Sequence, residues 1–286
     1  MRNRTVLITG STGGIGWETA RGLAAQGARV ILVGRDARRA AAAAELLRQQ
    51  GTGTAESITA DLTRQDGVRE LAELVAQRHE TLDVLVNNFG YVPPRRQLTV
   101  EGVELTFAAN VLTPYLLTTL LLPELRAASG RVVNLTGGIP DGPIDPGNLQ
   151  AERRFLGWTF SQYNHCKTAL MAMSYEFART TEGITVNVAY PGHASTPGSR
   201  ALPMRAAPWA FRPLIPVIQV LGPLLFKYTA KAARSSIHLA SAPELEGVTG
   251  KYFDTNAAEA AWPAAVLDDR NRSAVWELCN QVVSAA

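Results

Sequence analysis

The stretch Thr9-Gly10-Ser11-Thr12-Gly13-Gly14-Ile15-Gly16 constrains this chain more than any other. It follows a short apolar run, Thr5–Thr9, and leads into a helix-like stretch, Trp17–Gln26, after which a second β-branched run, Arg29–Val33, begins. Glycines let the backbone turn sharply and approach a phosphate closely. The helix N-terminus that follows offers free N–H groups and the positive end of its dipole to an anion. The order strand, glycine turn, helix, strand is the context in which such a turn cradles a dinucleotide pyrophosphate. The plain alternative is a tight turn without a ligand.

The alternation continues along the chain. Runs at Thr5–Thr9, Arg29–Val33, Glu56–Ala60, Val84–Asn87, Arg131–Leu135, Thr185–Ala189 and Lys251–Phe253 read as strands. Each of the first six precedes a helix-length segment, with a long loop intervening after the fifth and sixth. Continuous apolar runs such as Val30-Ile31-Leu32-Val33 suit a sheet covered on both faces. Alternating strands and helices with right-handed crossovers imply an α/β fold: a doubly wound parallel sheet of about seven strands with helices on both faces. A single domain over residues 1–286 is expected. Pro191 to Tyr228 departs in composition, with seven prolines and many bulky apolar side chains. This is too long for a connector, so an apolar lid is expected at 193–229, with Trp209 and Phe211 as substrate contacts. The alternative is a helical pair packed on the domain edge.

A chain of 286 residues, 46% hydrophobic and 19% charged, can bury a large core without disulfide or metal staples. The net charge of +3 makes no case for nucleic acid. No apolar stretch reaches transmembrane length, since Pro114 interrupts Val111 to Leu122, and Pro216 and Pro223 interrupt Leu214 to Phe226. The N-terminus lacks the layout of a signal peptide, and Cys166 and Cys279 suit a reducing compartment, so a cytoplasmic location is expected. The histidines and cysteines show no metal spacing, and no metal is expected. Cys166, beside His165, reads as a small packing residue rather than a nucleophile.

The end of the second strand distinguishes the dinucleotides. A site for NAD usually places a carboxylate there for the ribose 2′-hydroxyl. This chain has Gly34-Arg35-Asp36 instead. Gly34 leaves room and the forked Arg35 cation suits a phosphate, while Asp36 is placed to cap the helix that starts at Ala37. NADP(H) is therefore the expected cofactor.

Tyr163 and Lys167 lie four residues apart, on one face of a predicted helix. Lysine is scarce: Lys167, Lys227, Lys231 and Lys251 are the only ones. An ammonium near a phenol stabilises phenolate and is expected to lower a pKa that starts near 10, making Tyr163 a proton donor to a carbonyl or an acceptor from an alcohol.

The glycine turn and Tyr163-x-x-x-Lys167 together resemble the short-chain dehydrogenase/reductase family, whose fold is Rossmann-like. Other landmarks fall in order. Asp61-Leu62 resembles the pair near the adenine, Asn87-Asn88-Phe89-Gly90 the family's Asn-Asn-Ala-Gly, and Asn110 the mid-helix asparagine. Pro191-Gly192 with Thr196 resembles the motif that closes on the nicotinamide amide. The resemblance implies a catalytic set of Tyr163, Lys167 and Asn110, with Asn110 anchoring a water that relays protons to Lys167. It implies cofactor contacts from Gly10, Ser11, Thr12, Gly14, Ile15, Gly16, Arg35, Asp61, Leu62, Asn88, Gly90, Tyr163, Lys167, Pro191, Gly192 and Thr196. The tail, Ala232 to Ser241, Gly250-Lys251-Tyr252-Phe253 and Val275-Trp276-Glu277-Leu278, is similar to the retinol-dehydrogenase-like branch. The family also implies a homodimer or homotetramer through the helices carrying Asn110 and Tyr163.

One position departs from the pattern. The family's carbonyl-polarising serine aligns with Gly137 in Asn134-Leu135-Thr136-Gly137-Gly138. Three readings stay open. Thr136 serves as the catalytic hydroxyl if the strand end twists; Ser161 or a substrate group supplies it, with the substrate contact His193 able to donate a hydrogen bond or proton in partial replacement; or the reaction is no longer ordinary carbonyl reduction. The leading expectation is an NADPH-dependent reductase, or reverse dehydrogenase, of a hydrophobic ketone or aldehyde. The alternatives are non-redox chemistry (cyclisation, isomerisation, dehydration or epimerisation) and a cofactor-binding sensor.

Overall fold

The computed structural model describes residues 1–50, 53–138, 141–153, 159–192 and 229–285. Its strands are β1 Thr5–Thr9, β2 Arg29–Gly34, β3 Thr54–Thr59, β4 Val84–Asn87, β5 Arg131–Leu135, β6 Thr185–Ala189, β7 Tyr252–Phe253 and β8 Glu259–Ala260. They form one sheet in the order β3-β2-β1-β4-β5-β6-β7-β8. All neighbours are parallel except β7 and β8. The expected doubly wound sheet is present, with β8 as an eighth, antiparallel strand.

The main helices are α1 Gly14–Ala24, α2 Ala37–Gln49, α3 Gln65–Arg78, α4 Thr113–Leu120, α5 Leu122–Ala127, α6 Thr159–Thr180, α7 Arg234–Ser241 and α8 Asp269–Ser284. Alternation along the strands divides the core. Leu7, Ile31, Leu85 and Val132 pack with α3, α4, α6 and α8, whereas Val6, Ile8, Val30 and Val133 face α1, α2 and α7. Helices therefore cover both faces, which is why the central strands read as unbroken apolar runs.

Local chemistry sets the helix starts. Asp36 caps α2 by accepting from the Arg39 N–H at 3.0 Å. Ahead of α4, Leu105–Phe107 is helical and Ala108–Leu112 forms a π-helical turn that carries Asn110. Such turns interrupt the usual helical ladder and recur at functional sites.

The C-terminal helix closes over the neighbouring α4 and α6. Trp276 meets the rings of Tyr115 and Phe177 at 5.1 and 5.0 Å, and Tyr115 Oη donates to Asn280 Oδ1 at 2.5 Å. Arg272 pairs with Glu176 at 3.3 Å. This part of the surface of α4 and α6 is thus covered by the chain's own α8. Among the described residues no helix is long and apolar enough to cross a membrane. The expected lid at 193–229 lies outside the described residues, apart from its last residue.

Candidate active site

The glycine turn is strapped to the end of β4. Thr9 Oγ1 accepts the N–H groups of Asn88 and Phe89 at 3.0 and 2.9 Å. Asn88 Nδ2 donates back to the carbonyls of Thr9 and Gly10 at 2.8 and 3.0 Å. Gly16 approaches so closely that a β-carbon there would overlap Asn88 Nδ2 and stand 2.7 Å from the Gly10 carbonyl oxygen. Gly10 and Gly14 have φ of +64° and +61°, where other residues are strained. No side chain caps α1, so its first-turn N–H groups remain directed at the turn. Ser11, expected as a cofactor contact, is also tied into the fold. Its amide donates to Val33 O, and its hydroxyl donates to Ile8 O at 2.7 Å and accepts from Val33 N at 3.0 Å, so its polar groups strap the loop to β1 and β2.

Next to this cradle, Thr12 packs its methyl on Gly34, where a β-carbon would stand 2.5 Å away. Arg35 is exposed at the strand end, and Asp36 is spent on capping α2. Asp61 is exposed and accepts from Thr63 N and Oγ1 at 3.1 and 2.7 Å. Leu62 is buried, and its carbonyl accepts from Thr113 Oγ1 at 2.8 Å.

A second cluster forms at the ends of β4, β5 and β6. The side chain of Asn110 is fully buried and donates to the carbonyls of Tyr91 and Thr106 at 2.7 and 2.8 Å. Its Oδ1 is buried without a partner. Gly90 lets it converge with Lys167: a β-carbon on Gly90 would stand 2.6 Å from Asn110 Oδ1 and 3.5 Å from Lys167 Nζ. Lys167 Nζ donates to Leu135 O at 3.0 Å and lies 5.7 Å from the centre of the Tyr163 ring. Burial lowers its pKa to about 8. A β-carbon on Gly137 would stand 2.5 Å from Tyr163 Oη. Burial, with Tyr190 adding to it, pushes Tyr163 up to about 12. The direction in the free protein is therefore upward rather than the lowering expected from Lys167, with desolvation of the phenolate as its largest cause.

Nearly the whole chain matches established proteins. Residues 4–144 match the family model described as short chain dehydrogenase. Human retinol dehydrogenase 14 is 34% identical over 303 residues, covering 99% of this chain and 87% of that protein. This chain belongs to the short-chain dehydrogenase family. A Streptomyces sp. (strain C5) protein named as a daunorubicin C-13 ketoreductase is 31% identical, covering 96% and 90% of the two chains. Among solved structures, the Pseudomonas aeruginosa RhlG/NADP active-site complex superposes with a TM-score of 0.66 at 27% identity, covering 90% of this chain and 96% of that one.

Within this short-chain dehydrogenase, Thr136 does not present its hydroxyl beside Tyr163. It is buried and its hydroxyl is directed at the Lys167 carbonyl oxygen, 3.4 Å away, as expected when successive strand residues alternate faces. Pro191 is buried, and Gly192 at φ +73° approaches Thr255. His193, Thr196, Trp209 and Phe211, and the side chain of Ser161, lie outside the described residues. His165 Nε2 accepts from Asp145 N at 2.9 Å, and Cys166 is buried with its thiol pKa pushed up, mainly by burial. Both therefore have structural surroundings. No metal-binding group of His, Cys, Asp or Glu occurs among the described residues.

Sequence reasoning missed Tyr190, whose hydroxyl donates to Gly138 O at 3.0 Å. Its place immediately before Pro191-Gly192, at the end of the strand paired with β5, was the available signal.

Proposed function

We propose that this oxidoreductase is an NADPH-dependent reductase, or reverse dehydrogenase, of hydrophobic ketones or aldehydes. The carrying observation is the convergence of Tyr163 Oη, Lys167 Nζ and Asn110 Oδ1 around Gly137 and Gly90, at the strand ends beside the strapped glycine turn. The residues fit a dinucleotide. The turn leaves N–H groups open to a pyrophosphate, and exposed Arg35 with Arg38 and Arg39 supplies positive charge for a 2′-phosphate.

When bound, the dinucleotide supplies the hydride that adds to the carbonyl carbon. Tyr163, held protonated by its high pKa, donates its proton to the carbonyl oxygen, giving the alcohol. As phenolate develops, the Lys167 ammonium stabilises it; in oxidation the same pair takes the proton back. Asn110 Oδ1, aimed into the space beside Lys167, is placed to accept from a relaying water. We read Gly137 as standing where the family carries its serine, so this site polarises the carbonyl through fewer donors.

A large, hydrophobic substrate agrees with the composition of 193–229 and with the retinol named for one relative, a long apolar chain with a single hydroxyl. Relatives named as dehydrogenases and a ketoreductase give the non-redox alternative no support. The test follows loss of NADPH absorbance with retinal, long-chain aldehydes and polycyclic ketones. Turnover that falls at least a hundredfold in Tyr163→Phe is expected. No turnover of any member, or unchanged turnover in that variant, overturns the reading.

A further inference from the structure

We propose that Tyr190 is a positioning residue for Tyr163, acting through the Gly137-Gly138 backbone. The inference rests on Tyr163 being the proton donor.

The end of β5 holds the Tyr163–Lys167 pair one residue at a time. Leu135 O takes Lys167 Nζ, Thr136 turns toward the Lys167 carbonyl, and the bare α-carbon of Gly137 faces Tyr163 Oη. The next residue, Gly138, has φ +67°, and a β-carbon there would collide with Asn164 Oδ1, the neighbour of Tyr163 on α6. Two successive glycines make the most deformable backbone available, yet a catalytic hydroxyl seated against them tolerates little displacement. Something outside the glycine pair has to fix it.

Tyr190 is built for that task. The β5–β6 register ends with Leu135 opposite Ala189, which brings Tyr190 alongside residues 136–138 at the end of β5. Its own N–H is pinned to Phe253 O on β7 at 2.8 Å. From that fixed point its hydroxyl donates to Gly138 O at 3.0 Å. The phenol thereby fixes the carbonyl of Gly138, and with it the orientation of the turn against which Tyr163 rests. The two phenols are near enough for Tyr190 to add to the upward push of burial on Tyr163.

The experiment is a double-mutant cycle on the full chain, with Tyr190→Phe and Tyr163→Phe measured singly and together. It uses NADPH and the panel carbonyl that the wild type turns over fastest. Tyr190→Phe removes only the hydroxyl. Its expected result is a fall in kcat of about tenfold, roughly the value of one well-placed hydrogen bond, with KM changed less than about twofold. In the Tyr163→Phe background the same change is expected to do almost nothing, because its effect passes through the Tyr163 hydroxyl. Equal losses in both backgrounds, or a single variant at wild-type kcat, would overturn the role of Tyr190 while leaving the proposed reaction intact. Full activity of Tyr163→Phe would overturn the reaction itself, and this inference with it. A melting temperature measured alongside separates loss of fold from loss of positioning.

Discussion

The Tyr163 hydroxyl rests against Gly137, at a point only 2.5 Å from where a β-carbon on that glycine would stand. Any side chain at 137 therefore competes with the phenol for space. Gly137→Ala is expected to lower kcat by about a hundredfold, the scale for a misplacement of about 1 Å, with the melting temperature nearly unchanged. Gly137→Ser adds a hydroxyl but brings the same β-carbon, so it should also fall below wild type. Steady-state kinetics of the two variants check this; a gain in either would mean that the phenol moves aside freely.

Lys167 gives the pH dependence. Burial lowers its pKa to about 8, while Tyr163 remains protonated to about 12. The ammonium is present below the lower value and lost as pH rises through it. For carbonyl reduction, kcat/KM reports the free enzyme and is expected to decline above about pH 8, far below the Tyr163 value. Lys167→Arg, whose cation does not titrate in this range, should remove that decline from the profile even if it lowers the plateau. A wild-type profile flat to pH 10 would contradict the assignment.

The same cluster shows where sequence reading succeeds and stops. Thr5–Thr9 and Arg131–Leu135 were legible to the residue because strands buried on both faces read as apolar runs. The two-residue β8, Glu259–Ala260, has no such run and was invisible. Helix spacing brought Tyr163 and Lys167 together, but the Tyr163 pKa depends on burial by distant segments, and its expected direction was reversed. The hydrogen bond from the Val33 N–H to the Ser11 hydroxyl was not legible either, because it crosses between elements 22 residues apart. Tyr190 was missed for the same reason, since its partner is 52 residues away.

The glycine turn yields a binding prediction. In Gly16→Ala the new β-carbon meets Asn88 Nδ2 and the Gly10 backbone, neither of which can retreat without opening the strap between β1 and β4. NADPH affinity, measured by titration calorimetry, should fall at least about tenfold, and the melting temperature should drop as the strap loosens. Unchanged affinity would remove this turn from the cofactor site.

Trp276 tests the role of α8 as a cover. Its indole lies edge-on to Tyr115 and Phe177, and Trp276→Ala would uncover both. The expected cost is about 3 kcal/mol of stability, read by denaturant unfolding. The exposed aromatic surface on α4 and α6 should also promote self-association in sedimentation, whereas the wild type keeps that surface covered.

The choice between dinucleotides is expected to rest on Arg35. It is exposed directly after β2, Gly34 is kept small by the Thr12 methyl, and Asp36 Oδ1 accepts from the Arg39 N–H. A 2′-phosphate placed here meets a forked cation, whereas a free 2′-hydroxyl gains no such charge pairing. Arg35→Ala should raise the KM for NADPH about tenfold, the scale of one charge-assisted hydrogen bond, and leave that for NADH within about twofold. Arg35→Asp should go further and favour NADH, since it adds a ribose acceptor and repels the phosphate. Equal changes for both cofactors would place Arg35 outside the phosphate site.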